Sequence, residues 1–246
     1  MKTSASTFKI LSLNIHCFED DWQKRLDFIC QYIAKNDLDI ISLQEVCEDE
    51  NGNATDYILQ KLNEYHYPVN SFCKRFSHLA WNKYREHVLI LSKHHADDIR
   101  DADLPHSPFQ RVYVAMKLKG CWFINTHLEF QEEWKEFRRA QIEFLATEWK
   151  NEQAVIMGDF NSNMVDEEQT PFEQNHFAPV FPGKTFPSNA PTAAIDGFWL
   201  TNTLRHNNPS IHGEILFDQK INENIFASDH LGVYLELRFR SPLGAN

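Results

Sequence analysis

The stretch "AVIMGDFNSN", Ala154–Asn163, decides how this chain is read. Four apolar residues run without alternation, as in a strand buried on both faces. Gly158 then permits a tight exit, and Asp159 and Asn161 follow two positions apart with Phe160 between them. A carboxylate and an amide thus stand at the mouth of a buried strand. Alone, the stretch supports only a strand and a turn, since Asp after glycine commonly caps a loop or helix.

Similar runs recur along the chain: "FKILSLNI" (8–15), "LDIISLQEV" (38–46), "HVLILS" (87–92), "RVYVAMKL" (111–118), "CWFINTHL" (121–128), "IDGFWLT" (195–201) and "GVYLELRF" (232–239). "RVYVAMKL" comes nearest to strict alternation, as for a half-exposed strand. Polar residues stand at the ends of these runs. Asn14 closes the first, Glu45 the second, His127 the fifth, and Asp159 with Asn161 the sixth; Asp196 opens the seventh, and Asp229-His230 precede the last. Polar residues at matching strand ends converge on one rim, where sites are built.

Two segments read as amphipathic helices. "DWQKRLDFICQYIAKN" aligns Trp22, Leu26, Ile29, Cys30 and Ile33, and "EEWKEFRRAQIEFLATEWK" aligns Trp134, Phe137, Gln141, Phe144, Leu145 and Trp149. Each precedes a strand, giving a crossover-like unit in each half of the chain. No Gly, Ser or Pro linker divides the halves, so the reading is one domain, residues 1–246, of α/β class. Residues 161–191 carry six prolines or glycines and no strong period, the mark of a long ordered loop region that is more often functional than idle.

The chain has 246 residues, enough for a sizeable core, and its 42% hydrophobic and 24% charged content is that of an ordinary globular protein. The net charge of -11 gives the whole molecule no pull on nucleic acid or anionic membrane, although carboxylates that hold cations inflate that figure. Cys17, Cys30, Cys47, Cys73 and Cys121 are odd in number and widely spaced. They read as free thiols in a reducing compartment, hence a cytoplasmic expectation. No apolar run approaches the roughly 20 residues that span a bilayer, and Ser12 and Asn14 interrupt the apolar start, so it reads as a strand and not a signal peptide.

Each rim residue has a bland alternative. Asn14 could be a turn residue, His127 a satisfied core histidine, Asp196 a turn cap and Ser228-Asp229-His230 a surface loop. Seven or eight such residues at strand ends are harder to assign to coincidence. Hard cations such as Mg²⁺ or Mn²⁺ take oxygen ligands, often one or two carboxylates with water and phosphate in the other positions. Glu45 is the best-placed single carboxylate, with Asn14 as its neutral companion. Zinc fits less well, because the cysteines are scattered and no His-x-x-x-His lies on a helix. Arg111, ahead of an apolar strand, is read either as a bidentate phosphate contact or as a surface arginine. Residues 72–95 hold Lys74, Arg75, Lys83, Arg85 and Lys93 against a single Glu86, with Phe72, Phe76, Trp81 and Tyr84 interleaved. That composition suits a phosphate backbone with stacked bases, or else a solvated loop whose aromatics fill a local core.

The ordered blocks "LSLNI", "DIISLQEV", "VLILSK", "FINTHLEF", "RRAQIEFL", "VIMGDFNS", "TFPSNAPTAAIDGFWL" and "ASDHLGVYLEL" resemble the endonuclease/exonuclease/phosphatase superfamily over nearly the whole chain. The resemblance implies a four-layer α/β/β/α sandwich with two stacked mixed β-sheets, like deoxyribonuclease I, and a site at one end of the stack. It also implies roles. Glu45 would bind Mg²⁺ or Mn²⁺ with Asn14 beside it, and Asp159 and Asn161 would handle water and phosphate. His230 would contact the scissile phosphate or transfer a proton, with Asp229 fixing its ring. His127 would bind a phosphate oxygen, and Asp196 would support a histidine or the metal region.

The chain departs from the family's pattern at His87 and Leu89, at Ala194 and Gly197 flanking Ile195-Asp196, and at Gly232. None removes a site residue, but those beside Asp196 shape the pocket. The reaction implied is divalent-metal-dependent hydrolysis of a phosphodiester or phosphomonoester, with no obligate protein partner. Nuclease is the leading reading. The rival is a sphingomyelinase-like or small-molecule phosphodiesterase or phosphatase, with the phenylalanines of residues 164–187 as an apolar lip. A catalytically silent binding scaffold is the third.

Overall fold

A computed structural model describes residues 7–50, 52–80, 83–207, 209–223 and 225–239. In chain order the strands are β1 (Thr7–Asn14), β2 (Ile40–Asp49), β3 (Gly52–Asn53), β4 (Ser71–Ala80), β5 (Tyr84–Ser92), β6 (Asp98–Asp103) and β7 (Val112–Leu118). There follow β8 (Cys121–His127), β9 (Ala154–Asp159), β10 (Ala178–Val180), β11 (Asp196–Leu200), β12 (Ser210–Leu216) and β13 (Gly232–Arg238). The α-helices are α1 (Trp22–Asn36), α2 (Ala54–Glu64), α3 (Lys135–Trp149), α4 (Thr170–Gln174) and α5 (Asn202–His206).

The strands form a seven-stranded sheet, β12-β13-β1-β2-β5-β4 with β3 on β2, and a six-stranded sheet, β10-β11-β9-β8-β7-β6. Each sheet has one parallel pair, β1–β2 and β8–β9, bridged by α1 and α3 respectively, and the remaining pairs are antiparallel. These are the two crossover units that the helical stripes predict. Ile10, Ile40 and Val88 from one sheet pack with Val114, Phe123 and Val155 from the other in a core between the sheets. A second cluster seats Leu26, Ile29 and Ile33 of α1 and Ile58 and Leu62 of α2 on the outer face of the first sheet. A third seats Ile142, Leu145 and Trp149 of α3 on the second. The layers are therefore helix, sheet, sheet, helix; β7, expected to be half-exposed, is instead buried at every residue but Lys117, because it lies inside its sheet between β6 and β8 with a face on each core.

All eight apolar runs are strands. The strands that lack such a run are β4, β6, β10 and β12, together with the two-residue β3. Two of them, β6 and β12, are largely exposed edge strands, so no core demands an apolar pattern from them. The stripe on α3 is turned from the expected one: Arg138, Gln141, Ile142, Leu145 and Trp149 are buried, whereas Trp134, Phe137 and Phe144 lie at its margin. Arg138 can be buried because it donates to both oxygens of Glu168 and to the carbonyls of Glu129 and Gln131.

The cysteines correct the expectation of five free thiols. Cys17, after β1, is disulfide-bonded to Cys47 of β2, leaving Cys30, Cys73 and Cys121 free. Spacing could not show the pair, because the parallel β1–β2 pairing is what brings positions 30 residues apart together. Unpaired thiols are the ground for the cytoplasmic expectation, and the disulfide weakens it. Among the described residues no helix is long and apolar enough to cross a membrane.

At the end of β9, Gly158 adopts φ +145°, and a Cβ there would meet the Thr126 carbonyl oxygen at 1.9 Å. Only glycine lets β9 run this close to β8 as it delivers Asp159.

Candidate active site

The two parallel pairs end together. β1 delivers Asn14, β2 carries Glu45, β8 delivers His127 and β9 delivers Asp159, with His127 opposite Asp159 in the register. β11 runs antiparallel to β9 and pairs Asp196 with Asp159 at the same rim. The segment before β13 adds Asp229 and His230. Glu45 stands at a break in the β2–β5 register between Leu43 and Val46, with φ +54°. A bulge re-aims a side chain, and a non-glycine residue in the left-handed region marks a backbone held by its surroundings.

Asp159 is the hub. It is 1% exposed, so every group near its carboxylate acts with little competition from water. Its Oδ2 accepts from Asn14 Nδ2 at 3.1 Å and faces His127 Nε2 at 3.5 Å and His230 Nε2 at 3.7 Å. Its Oδ1 accepts from the Asn161 backbone N–H at 2.9 Å. Asn161 holds a left-handed φ of +51°, which Asn tolerates, and its Nδ2 donates to the Leu128 carbonyl, tying the turn to the end of β8.

Asn14 Nδ2 also donates to Glu45 Oε1 at 3.0 Å, while its Oδ1 accepts from the His16 backbone N–H. Asn14 therefore spans the two carboxylates through its amide nitrogen. Burial pushes the Glu45 carboxyl up, and the nearby negative charge of Glu86 adds to this.

His230 Nδ1 lies 3.0 Å from Asp196 Oδ2. Asp196, not Asp229, orients the ring; Asp229 turns toward His16 Nδ1 at 3.8 Å, and its Oδ1 accepts from the Ser228 hydroxyl. The resemblance implied Asp229 for this place and gave Asp196 a histidine or the metal region to support; it is Asp196 that meets the ring. Phe186 packs on the other side of the His230 ring, with centroids 4.7 Å apart. Burial opposes a charge on this imidazole, yet Asp196 and then Asp159 outweigh it and push the His230 pKa up to about 10.

The sign of that shift gives a prediction. A raised folded pKa adds stability that is complete below the unfolded value and lost as pH rises through the folded one. In EDTA-treated protein, the melting-temperature difference between wild type and His230→Gln should be full below about pH 6.5 and vanish as pH climbs past about 10. A difference that grows in alkali would contradict a charged ring.

His127 is backed by a cluster that sequence reading dispersed. Arg111 Nη1 donates to Glu86 Oε1 at 2.8 Å and lies 2.9 Å from His127 Nδ1, which is itself 3.0 Å from Glu86 Oε1. A guanidinium only donates and a carboxylate only accepts, so Nδ1 faces one partner of each kind, while Nε2 faces Asp159. Arg111 is 2% exposed. It is neither the phosphate contact nor the surface arginine expected, because Glu86, His127 and Glu129 enclose it. Glu86 was legible only as the lone acid in a basic stretch.

That stretch is also largely neutralised. Lys74 pairs with Glu48, Arg75 with Asp101 and Asp103, and Lys93 with Asp37 and Asp39. Phe72 and Phe76 are exposed, Tyr84 packs against Phe18, and Trp81 lies outside the described residues. The phenylalanines expected to form an apolar lip turn inward: Phe172 and Phe177 are buried in the α3 core, and Phe186 packs on His230. At Gly197, the space a larger side chain would claim is held by Met164, whose Cε lies 2.9 Å from a Cβ position.

The donor set fits a cation. Asp159, Asp196 and His230 offer ligand atoms within 4.8 Å of one another. Glu45 and Asp159 share one donor, the Asn14 amide nitrogen.

The family model for the endonuclease/exonuclease/phosphatase family matches residues 11–230, and the chain belongs to that family. The fold is similar to that of an endonuclease/exonuclease/phosphatase family protein from Leptotrichia buccalis C-1013-b, with TM-score 0.77 and 18% identity over 94% of this chain and 99% of that one. The Bacteroides vulgatus endonuclease/exonuclease/phosphatase gives TM-score 0.71 and 20% identity over 95% and 99%. D. rerio TDP2 complexed with single strand DNA product gives TM-score 0.70 and 17% identity over 94% and 99%. At these identities the likeness is one of fold. Comparison with curated protein sequences finds no match.

Proposed function

We propose that the protein is a divalent-cation-dependent phosphodiesterase that cleaves a short, single-stranded nucleic acid or its end. The observation that carries this reading is the convergence of Asn14, His127 and His230 on one buried oxygen of Asp159. A phosphodiester needs charge neutralisation on its phosphoryl oxygens, a base or orienting group for water, and a proton for the leaving alkoxide. A Mg²⁺ or Mn²⁺ ion held by Glu45 would supply the first. Asp159 orients and deprotonates the water, His230 donates from Nε2 while Asp196 holds its charge, and His127 Nε2–H binds a phosphoryl oxygen. Asn14 bridges the two carboxylates through Nδ2.

The likeness to TDP2, whose complex contains single strand DNA, supports the substrate class. The net charge of -11 and the paired lysines and arginines favour engagement at the scissile phosphate over grip along a long backbone. Purified protein with Mg²⁺, Mn²⁺ or EDTA, tested on plasmid DNA, single-stranded DNA and RNA, sphingomyelin, inositol phosphates and bis-p-nitrophenyl phosphate, decides among these. Cation-dependent cleavage of single-stranded oligonucleotide and of bis-p-nitrophenyl phosphate is the expected result. Preference for sphingomyelin or inositol phosphates would give the site to the rival class, and hydrolysis of nothing would make the fold a scaffold.

A further inference from the structure

Arg25 lies in the first turn of α1 and is 1% exposed. Its guanidinium donates to five backbone carbonyls: Ile15 at 2.7 Å, Glu19 at 2.8 Å, Ala227 at 3.0 Å, and His16 and Cys17 at 3.2 Å. Burying a guanidinium is costly, and five fixed acceptors offset that cost only if the main chain follows one course. The course is unusual. His16, Cys17 and Asp20 all have positive φ, between 42° and 54°, a conformation that costs energy in non-glycine residues and persists where surroundings over-determine it.

One of these bonds reaches the rim. The Ile15 carbonyl that accepts from Arg25 and the His16 N–H that donates to Asn14 Oδ1 at 3.0 Å are two ends of one planar peptide unit. Fixing that plane fixes which way the Asn14 amide faces, and so aims its Nδ2 at Glu45 and Asp159. The bond to Ala227 holds the segment leading into Ser228-Asp229-His230 against the same loop. There the Ser228 hydroxyl donates to the Asn14 carbonyl at 2.6 Å.

We infer that Arg25 is a positioning residue: it touches no reacting atom, but sets Asn14 between the two carboxylates and registers the His230 segment against them. The inference rests on the phosphodiesterase reading for its kinetic arm only. Arg25→Met, Arg25→Lys and, as a control on the same helix, Ile33→Ala are compared on bis-p-nitrophenyl phosphate with Mn²⁺. Mn²⁺ affinity is also measured by calorimetry without substrate.

Arg25→Met should lower kcat about 100-fold with KM little changed, as displacement of a positioned group does. It should weaken Mn²⁺ binding about tenfold, as loss of a residue behind a metal ligand does. Arg25→Lys should recover part of both, and Ile33→Ala should lower the melting temperature while changing neither. In an Asn14→Ala background, Arg25→Met should cost little more, since residues acting through one another are not additive. Arg25→Met with wild-type kcat and Mn²⁺ affinity overturns the inference, as does full additivity with Asn14→Ala. If Arg25→Met does not fold, Arg25→Lys carries the same comparisons. A wild type that hydrolyses no phosphoester overturns the proposed function, and the Mn²⁺ arm then decides Arg25 by itself.

Discussion

Asp159→Asn should lower phosphoester hydrolysis by about a thousandfold or more, the upper range for loss of a general acid–base group, while the far-UV spectrum and a single cooperative unfolding transition persist. The side chains are nearly isosteric, and the site is formed by strand ends that the substitution does not touch. What changes is chemistry. An amide cannot take a proton from water, and an NH₂ at the Oδ2 position would face the donors on Asn14, His127 and His230. The negative charge that helps keep His230 protonated also disappears. Turnover within about tenfold of wild type would remove Asp159 from the water-activating role.

Arg111→Met should be the most destabilising of the site variants, by about 3–5 kcal/mol, because removing one partner of a buried ion pair strands the other. Here two buried carboxylates lose their cation, Glu86, 3% exposed, and Glu129, fully buried, the first keeping Ser77 and His127 and the second the Ser107 hydroxyl and the Phe109 N–H. His127 Nδ1 also loses one of the two groups that face it and keeps Glu86. The urea midpoint should fall sharply, and Arg111→Met combined with Glu86→Gln should regain part of the loss. A phosphate-contact role predicts the opposite pattern, a higher KM with an unchanged midpoint, so one pair of measurements separates the two.

Arg111 also shows where sequence reading stops. The apolar runs were legible because strands covered on both faces must be apolar throughout, and polar residues ending them stood out by contrast. Asp159, His127, Glu45 and Asp196 were found in that way. Partners across the sheets were not legible in the chain order: nothing there links Arg111 to Glu86, and only the family resemblance offered Asp196 as support for a histidine or the metal region. The register of β9 against β11 and the stacking of the sheets make those pairs. Asn125 is a further case. It lies inside an apolar run, and the stacking brings its amide to the Leu43 and Leu89 carbonyls and its Oδ1 to Gln44, joining the two sheets. A polar residue within such a run was the only signal. Arg25 lay hidden similarly, one position outside the apolar stripe of its helix. The disulfide needed the β1–β2 pairing to appear at all.

In the proposed function, strand ends from both sheets build one cation-dependent hydrolytic site around Glu45 and Asp159. Its most direct test is the rate of bis-p-nitrophenyl phosphate hydrolysis as Mn²⁺ is titrated into EDTA-stripped wild type and Glu45→Ala. Wild type should be inactive without the ion and saturate with it, while Glu45→Ala should stay inactive or need far more Mn²⁺. Hydrolysis that persists in EDTA, or a Glu45→Ala curve that overlays wild type, would contradict the account.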